Sequence, residues 1–134
     1  DWSSDVCSSD LNIYVFTDVD CGYCRKFHKE VALLNSKGIN VHYLAFPRAG
    51  QKGATYDKMV SVWCSNDRND VLSSAKQGRK IPEKKCDDPI SEHFRLGLEI
   101  ELKGTPAVFS EEGVELGGFI KAKDVERMLL KDKP

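Results

Sequence analysis

The apolar and polar positions along the chain change period several times, and each change marks an element. "NIYVFTD" (12–18) is short, β-branched and aromatic, and reads as a buried strand. From Cys21 the period lengthens. Cys24, Phe27, Val31 and Leu34 fall at i, i+3, i+7 and i+10, one face of a helix, with Arg25, Lys26 and Lys29 off that face. Gly38 suits the helix C-terminus, and "INVHYLAF" (39–46) is a second strand closed by Pro47. Strand, helix and strand in that order imply a βαβ unit with parallel strands. Residues 54–64 and 67–77 read as two short polar helices around Cys64, and "GRKIPEKKCDDP" (78–89) as a loop carrying Cys86. Residues 90–102 are helical again, with Phe94, Leu98 and Leu102 on one face. "TPAVF" (105–109) is a strand, "VELGGF" (114–119) its hairpin partner, and "AKDVERMLLKD" (122–132) a final amphipathic helix. The fold class is therefore α/β, ordered β-α-β, a helical insertion at about residues 50–90, then α-β-β-α.

The lead "DWSSDVCSSDL" (1–11) repeats Ser-Ser-Asp and has neither period. We set it outside the fold as a non-native or disordered segment and take 12–134 as the domain. A chain of 134 residues suits one domain with a real core. The net charge of −1 offers no basic excess for nucleic acid or an anionic membrane surface. No apolar run approaches the ~20 residues that cross a bilayer.

The five cysteines change this picture most, because their number is odd and two of them, Cys21 and Cys24, form a Cys-Gly-Tyr-Cys at the strand-to-helix junction. Cys7, in the lead, is taken as the odd thiol. A thiolate attacks disulfides and a thiol does not. At a helix start the Cys21 sulfur faces unpaired N–H groups and the positive end of the helix dipole, and both favour the thiolate. Cys24 lies one turn on, on the core-facing row, close enough to bond to it. Cys21 is thus expected to be the exposed nucleophile and Cys24 the resolving thiol. No other cofactor is called for. A zinc site is the competing reading, on a redox-silent peptide-binding module. It needs four ligands; the pair supplies two, and His28, one turn beyond, is a candidate third. Otherwise His28 is a partly exposed helix residue. A structural staple at Cys21–Cys24 closes too small a loop to stabilise the fold much.

"VFTDVDCGYCRKFHKE", "GINVHYLAFPRAG", "WCSNDRND" and "LKGTPAVF", with the spacing between them, resemble the catalytic domain of the DsbC/DsbG family of thiol:disulfide interchange proteins. The resemblance covers residues 12–132. It implies a thioredoxin-like fold with a helical insertion, a bacterial periplasmic location, and disulfide isomerase or reductase activity. Carried over, Cys21 matches the attacking cysteine and Cys24 the resolving one. Pro106 matches a proline that is cis in this superfamily, which would turn the Thr105 backbone toward an extended substrate segment. Thr105, Pro106, Gly22 and Tyr23 are then the substrate-binding residues. Cys64 and Cys86 match a structural disulfide, which on the chain-entropy model contributes roughly 3 kcal/mol. The implied partners are misoxidised or unfolded exported proteins, and a membrane thiol reductase as electron donor.

Two features depart from the pattern. Asp20 precedes Cys21 where an uncharged residue is expected. Its charge opposes thiolate formation, and its carboxylate competes with the sulfur as helix cap, so it is read as a pKa modulator. The lead does not resemble the dimerisation domain that comes first in this family. We therefore expect a monomer here, where full-length relatives are homodimers.

Overall fold

The computed structural model describes residues 11–131; the rest of the lead, Cys7 included, lies outside them. Strand β1 (Leu11–Thr17) pairs in parallel with β2 (Ile39–Ala45), in register from Leu11↔Ile39 to Thr17↔Ala45. On its other side β1 pairs antiparallel with β3 (Ala107–Ser110), and β3 pairs antiparallel with β4 (Glu115–Gly117). The sheet order is β2-β1-β3-β4. Because β1 is central, its side chains meet cover on both faces, and Ile13, Val15 and Phe16 are buried. The strand starts at Leu11, one residue inside the segment set aside as lead.

Between β1 and β2 the expected single helix is two, α1 (Gly22–His28) and α2 (Val31–Ser36). At the junction the Lys29 and Glu30 amides bond back only three residues, to Lys26 and Phe27. That tightens the turn. The predicted face survives the break: Cys24, Phe27, Val31 and Leu34 are all buried. The Glu30 carboxylate accepts a hydrogen bond from the Ala122 amide at 2.9 Å, tying the break to α6 (Ala122–Lys131). Gly38 follows α2 at φ 80°, as a helix end requires.

The insertion carries α3 (Ala54–Trp63) and α4 (Arg68–Lys76), and a disulfide joins Cys64, at the end of α3, to Cys86, with Cα atoms 5.6 Å apart. The pairing implied by the family resemblance is therefore present. Helix α5 (Ile90–Glu99) is shorter than expected. Its end is closed by Glu101 at φ 58° and by a Leu102 amide bond back to the Gly97 carbonyl. The turn changes the expected face. Phe94 and Leu102 pack with Phe16, Phe46 and Ala107 in a second cluster, while Leu98 is 56% exposed. Helix α5 approaches the end of β2 so closely that a Cβ on Gly97 would lie 2.4 Å from the Phe46 ring.

Candidate active site

The site forms where β1 runs out. The Asp18 carbonyl accepts from the Cys21 amide at 3.1 Å, and the Asp18 carboxylate accepts from the Asp20 amide at 2.8 Å. The other carboxylate oxygen accepts from the Arg48 amide at 2.9 Å and from its guanidinium at 3.1 Å. Asp18 is only 2% exposed, yet fully engaged. A carboxylate so buried is tolerated because donors surround it. It thereby locks the turn before α1 to the segment after β2.

This turn leaves Cys21 extended at the N-cap of α1, where its sulfur accepts from the Cys24 amide at 3.3 Å. The Cys21 thiol in turn donates to the Thr105 carbonyl at 3.3 Å. Cys24 lies beneath, fully buried, and both cysteines are free thiols. Cys21 is not exposed as expected: it is 3% exposed, because the Thr105 segment covers it. The Thr105–Pro106 bond is cis.

The two sulfurs differ in their tendency to ionise. Burial works against a Cys21 thiolate, but the Cys24 thiol, the nearby Thr105 hydroxyl, the Cys24 amide and the Arg48 charge outweigh it, so its pKa lies below the ordinary thiol value. Burial pushes the Cys24 thiol up, and its bond to Cys21 adds to this; Lys76 pulls the other way. Among the described residues the buried Thr105 hydroxyl has no hydrogen-bond partner, and it favours the thiolate form of both sulfurs. Such an arrangement suits one sulfur to ionise first and to serve as a nucleophile, while the second stays a thiol.

Asp20 does not cap α1; the Cys21 sulfur does. The Asp20 carboxylate turns to α3 instead, accepting from Lys58 at 2.6 Å and Thr55 at 2.5 Å, with Arg25 at 3.8 Å. Burial opposes its ionisation, but Lys58 and Thr55 prevail and hold its pKa below the usual value. Its charge is thus largely answered within the insertion. Gly22 and Tyr23 are exposed beside the sulfurs, Tyr23 at 59%. The Tyr23 ring centroid lies 6.2 Å from that of Phe119, which sequence reasoning did not single out.

His28 is engaged at both ring nitrogens, by the Tyr43 hydroxyl at 2.9 Å and the Ser73 hydroxyl at 3.0 Å. Burial, aided by the Lys76 charge, lowers its pKa to about 4. A histidine held this way has no lone pair turned toward Cys24 for a metal. Sequence reasoning also missed Asp18, Arg48 and Lys76. For Lys76 a signal was present: Leu72, Ala75 and Lys76 stand at i, i+3 and i+4, one buried row of α4.

Residues 9–132 match the thioredoxin-like domain family. The chain is 38% identical over 117 residues to the thiol:disulfide interchange protein DsbC of Salmonella typhimurium, covering 87% of this chain and 49% of that protein. It is 35% identical to DsbC of Haemophilus influenzae, over 87% of this chain and 51% of the relative. The chain thus spans about half the length of these relatives. Among solved structures, a disulfide interchange protein from Neisseria gonorrhoeae superposes with a TM-score of 0.76 at 25% identity, covering 92% of this chain and 89% of that one. The catalytic domain of Proteus mirabilis ScsC shares the fold, with a TM-score of 0.70 at 20% identity over 93% and 85% of the two chains.

Proposed function

The chain belongs to the thioredoxin-like domain family, and we propose that it is the catalytic part of a thiol:disulfide interchange enzyme of the DsbC kind. One observation carries the reading: a thiol at a helix N-cap, bonded to the amide of a second, deeper thiol and facing the Thr105 carbonyl. The Cys21 thiolate attacks one sulfur of a client disulfide. A Cys21–client mixed disulfide forms, the client S–S bond breaks, and the released client thiolate takes a proton from water. The mixed disulfide then has two exits. Another client thiolate attacks it, returning Cys21 and leaving a rearranged client; this is isomerisation. Otherwise Cys24 attacks Cys21, leaving a reduced client and a Cys21–Cys24 disulfide.

Thr105 and Pro106, with Gly22 and Tyr23, form the surface a client strand meets first, the Thr105 backbone pairing with it edge to edge. Displacing the Cys21–Thr105 bond uncovers the sulfur as the client arrives. The Cys21–Cys24 pair is the redox group, and no other cofactor is required by this chemistry. The clients are exported proteins with wrong disulfides, the compartment is the bacterial periplasm, and a membrane thiol reductase returns the pair to the dithiol. The Cys64–Cys86 bond serves stability in that oxidising setting.

Cys21→Ser is expected to abolish exchange, and Cys24→Ser to accumulate mixed disulfides with clients, read on non-reducing gels. Trapping through Cys24 in the Cys21→Ser form would reverse the two roles.

A further inference from the structure

Lys76 is 3% exposed, at the end of α4, in the interior beneath the cysteine pair. Its ammonium donates to the Thr17 hydroxyl at 2.6 Å and to the Cys24 carbonyl at 3.3 Å, and lies 5.0 Å from the centre of the Tyr43 ring. Among the described residues no carboxylate stands within ion-pair distance of it. Asp18 acts on it from farther off and is committed to Arg48. A buried ammonium served by neutral oxygens and a ring face is destabilising unless an anion forms nearby. The anion this interior is able to form is a cysteine thiolate.

We propose that the Lys76 ammonium is the fixed counter-charge of the Cys24 thiolate, a positioning residue that the helical insertion contributes to the resolving step. It rests on the interchange reading above. During resolution the Cys24 thiol gives its proton to water and becomes a thiolate. That thiolate bonds to the Cys21 sulfur, the Cys21–client bond breaks, and the client leaves as a thiolate that is reprotonated by solvent. No net charge is created, but negative charge passes through the buried Cys24 sulfur, and Lys76 stabilises it there. Coupling of this kind is reciprocal. Burial lowers the Lys76 pKa, the Cys24, Cys21 and Asp18 charges pull it part of the way back, and the balance lies at about 8. The other charged or titratable groups around the pair are Arg25, His28 and Cys21 on and beside α1, Asp18 after β1, Tyr43 on β2 and Arg48 after it.

The test separates this pairing from the activity. Both thiol measurements use Cys7→Ser protein; with Cys21→Ser added, thiolate absorbance against pH reads Cys24 alone. Lys76→Met, apolar and of similar length, should move that midpoint up by about 1 unit or more. With both cysteines present, an aromatic disulfide reagent releases one thiolate as Cys21 is modified and a second as Cys24 resolves it. Lys76→Met should slow the second release about tenfold and the first far less. Equal midpoints and equal second-phase rates in a folded Lys76→Met protein would overturn the proposal. Should that variant not fold, unmutated protein labelled at lysine nitrogens decides. Closing the Cys21–Cys24 disulfide removes the thiolate and should lower the Lys76 midpoint; no change on oxidation overturns the pairing. A Cys24 midpoint that responds to Lys76 in a chain that never turns over a protein disulfide would refute the interchange function and uphold the pairing.

Discussion

Single side chains set how readily each sulfur ionises, and Asp20 and His28 show how far each charge reaches. Asp20 stands one residue before Cys21, and its carboxylate is paired with Lys58 and Arg25. Asp20→Thr removes one negative charge and leaves two cations near the helix start, so the Cys21 pKa should fall. The pH dependence of iodoacetamide reaction reads this; an unchanged midpoint would mean that Lys58 already cancels the carboxylate. His28 makes its mark on stability. It is neutral in the folded protein down to pH about 4, against an ordinary value of 6.5. Below 6.5 the unfolded chain binds a proton that the folded one refuses. Stability is therefore complete above pH 6.5 and lost as the pH falls toward 4, by about 3 kcal/mol. Denaturant midpoints at pH 7 and 4.5 should separate less in His28→Gln than in the unmutated protein.

At the scale of elements, the insertion supports the site rather than merely interrupting the fold. Helix α3 supplies Lys58 and Thr55 to Asp20, and α4 supplies Lys76 to Cys24 and Ser73 to His28. The Cys64–Cys86 bond spans 22 positions of this insertion. Closing a loop of that length stabilises the fold by roughly 3 kcal/mol. Replacing both cysteines by Ala should lower the melting temperature by about 10 °C. Exchange of a small disulfide should persist in the folded fraction. A folded double mutant without exchange would show that the bond holds α3 and α4 in the catalytic arrangement as well.

For the whole molecule, the interchange proposed above requires that a client be held between two attacks on its disulfides. Around the sulfurs, the described residues offer Tyr23, Phe119 and the Thr105 edge, an area suited to one short strand. The 134-residue chain with Cys7→Ser should sediment as a monomer, exchange small disulfides well, and reshuffle scrambled ribonuclease poorly. A stable dimer, or efficient reshuffling by the monomer, would show that this surface suffices to hold a client.

Local pattern carried most of the architecture, since periods of 2 and 3.6 report which face of an element is buried. It placed the four strands, the polar insertion helices, and Cys21 and Cys24 at a helix start. Where an element ended against another one, the pattern failed. The helix after Cys21 breaks at Lys29–Glu30, where Glu30 meets α6, and α5 stops at Glu99, leaving Leu98 in solvent. Only the tertiary structure decided that Asp20 faces Lys58 instead of the helix start, and that Thr105 covers Cys21. It also decided that a lysine on a polar helix lies under Cys24. Charges distant in sequence become partners only when packing brings them together in a medium of low dielectric, and no local period encodes that meeting.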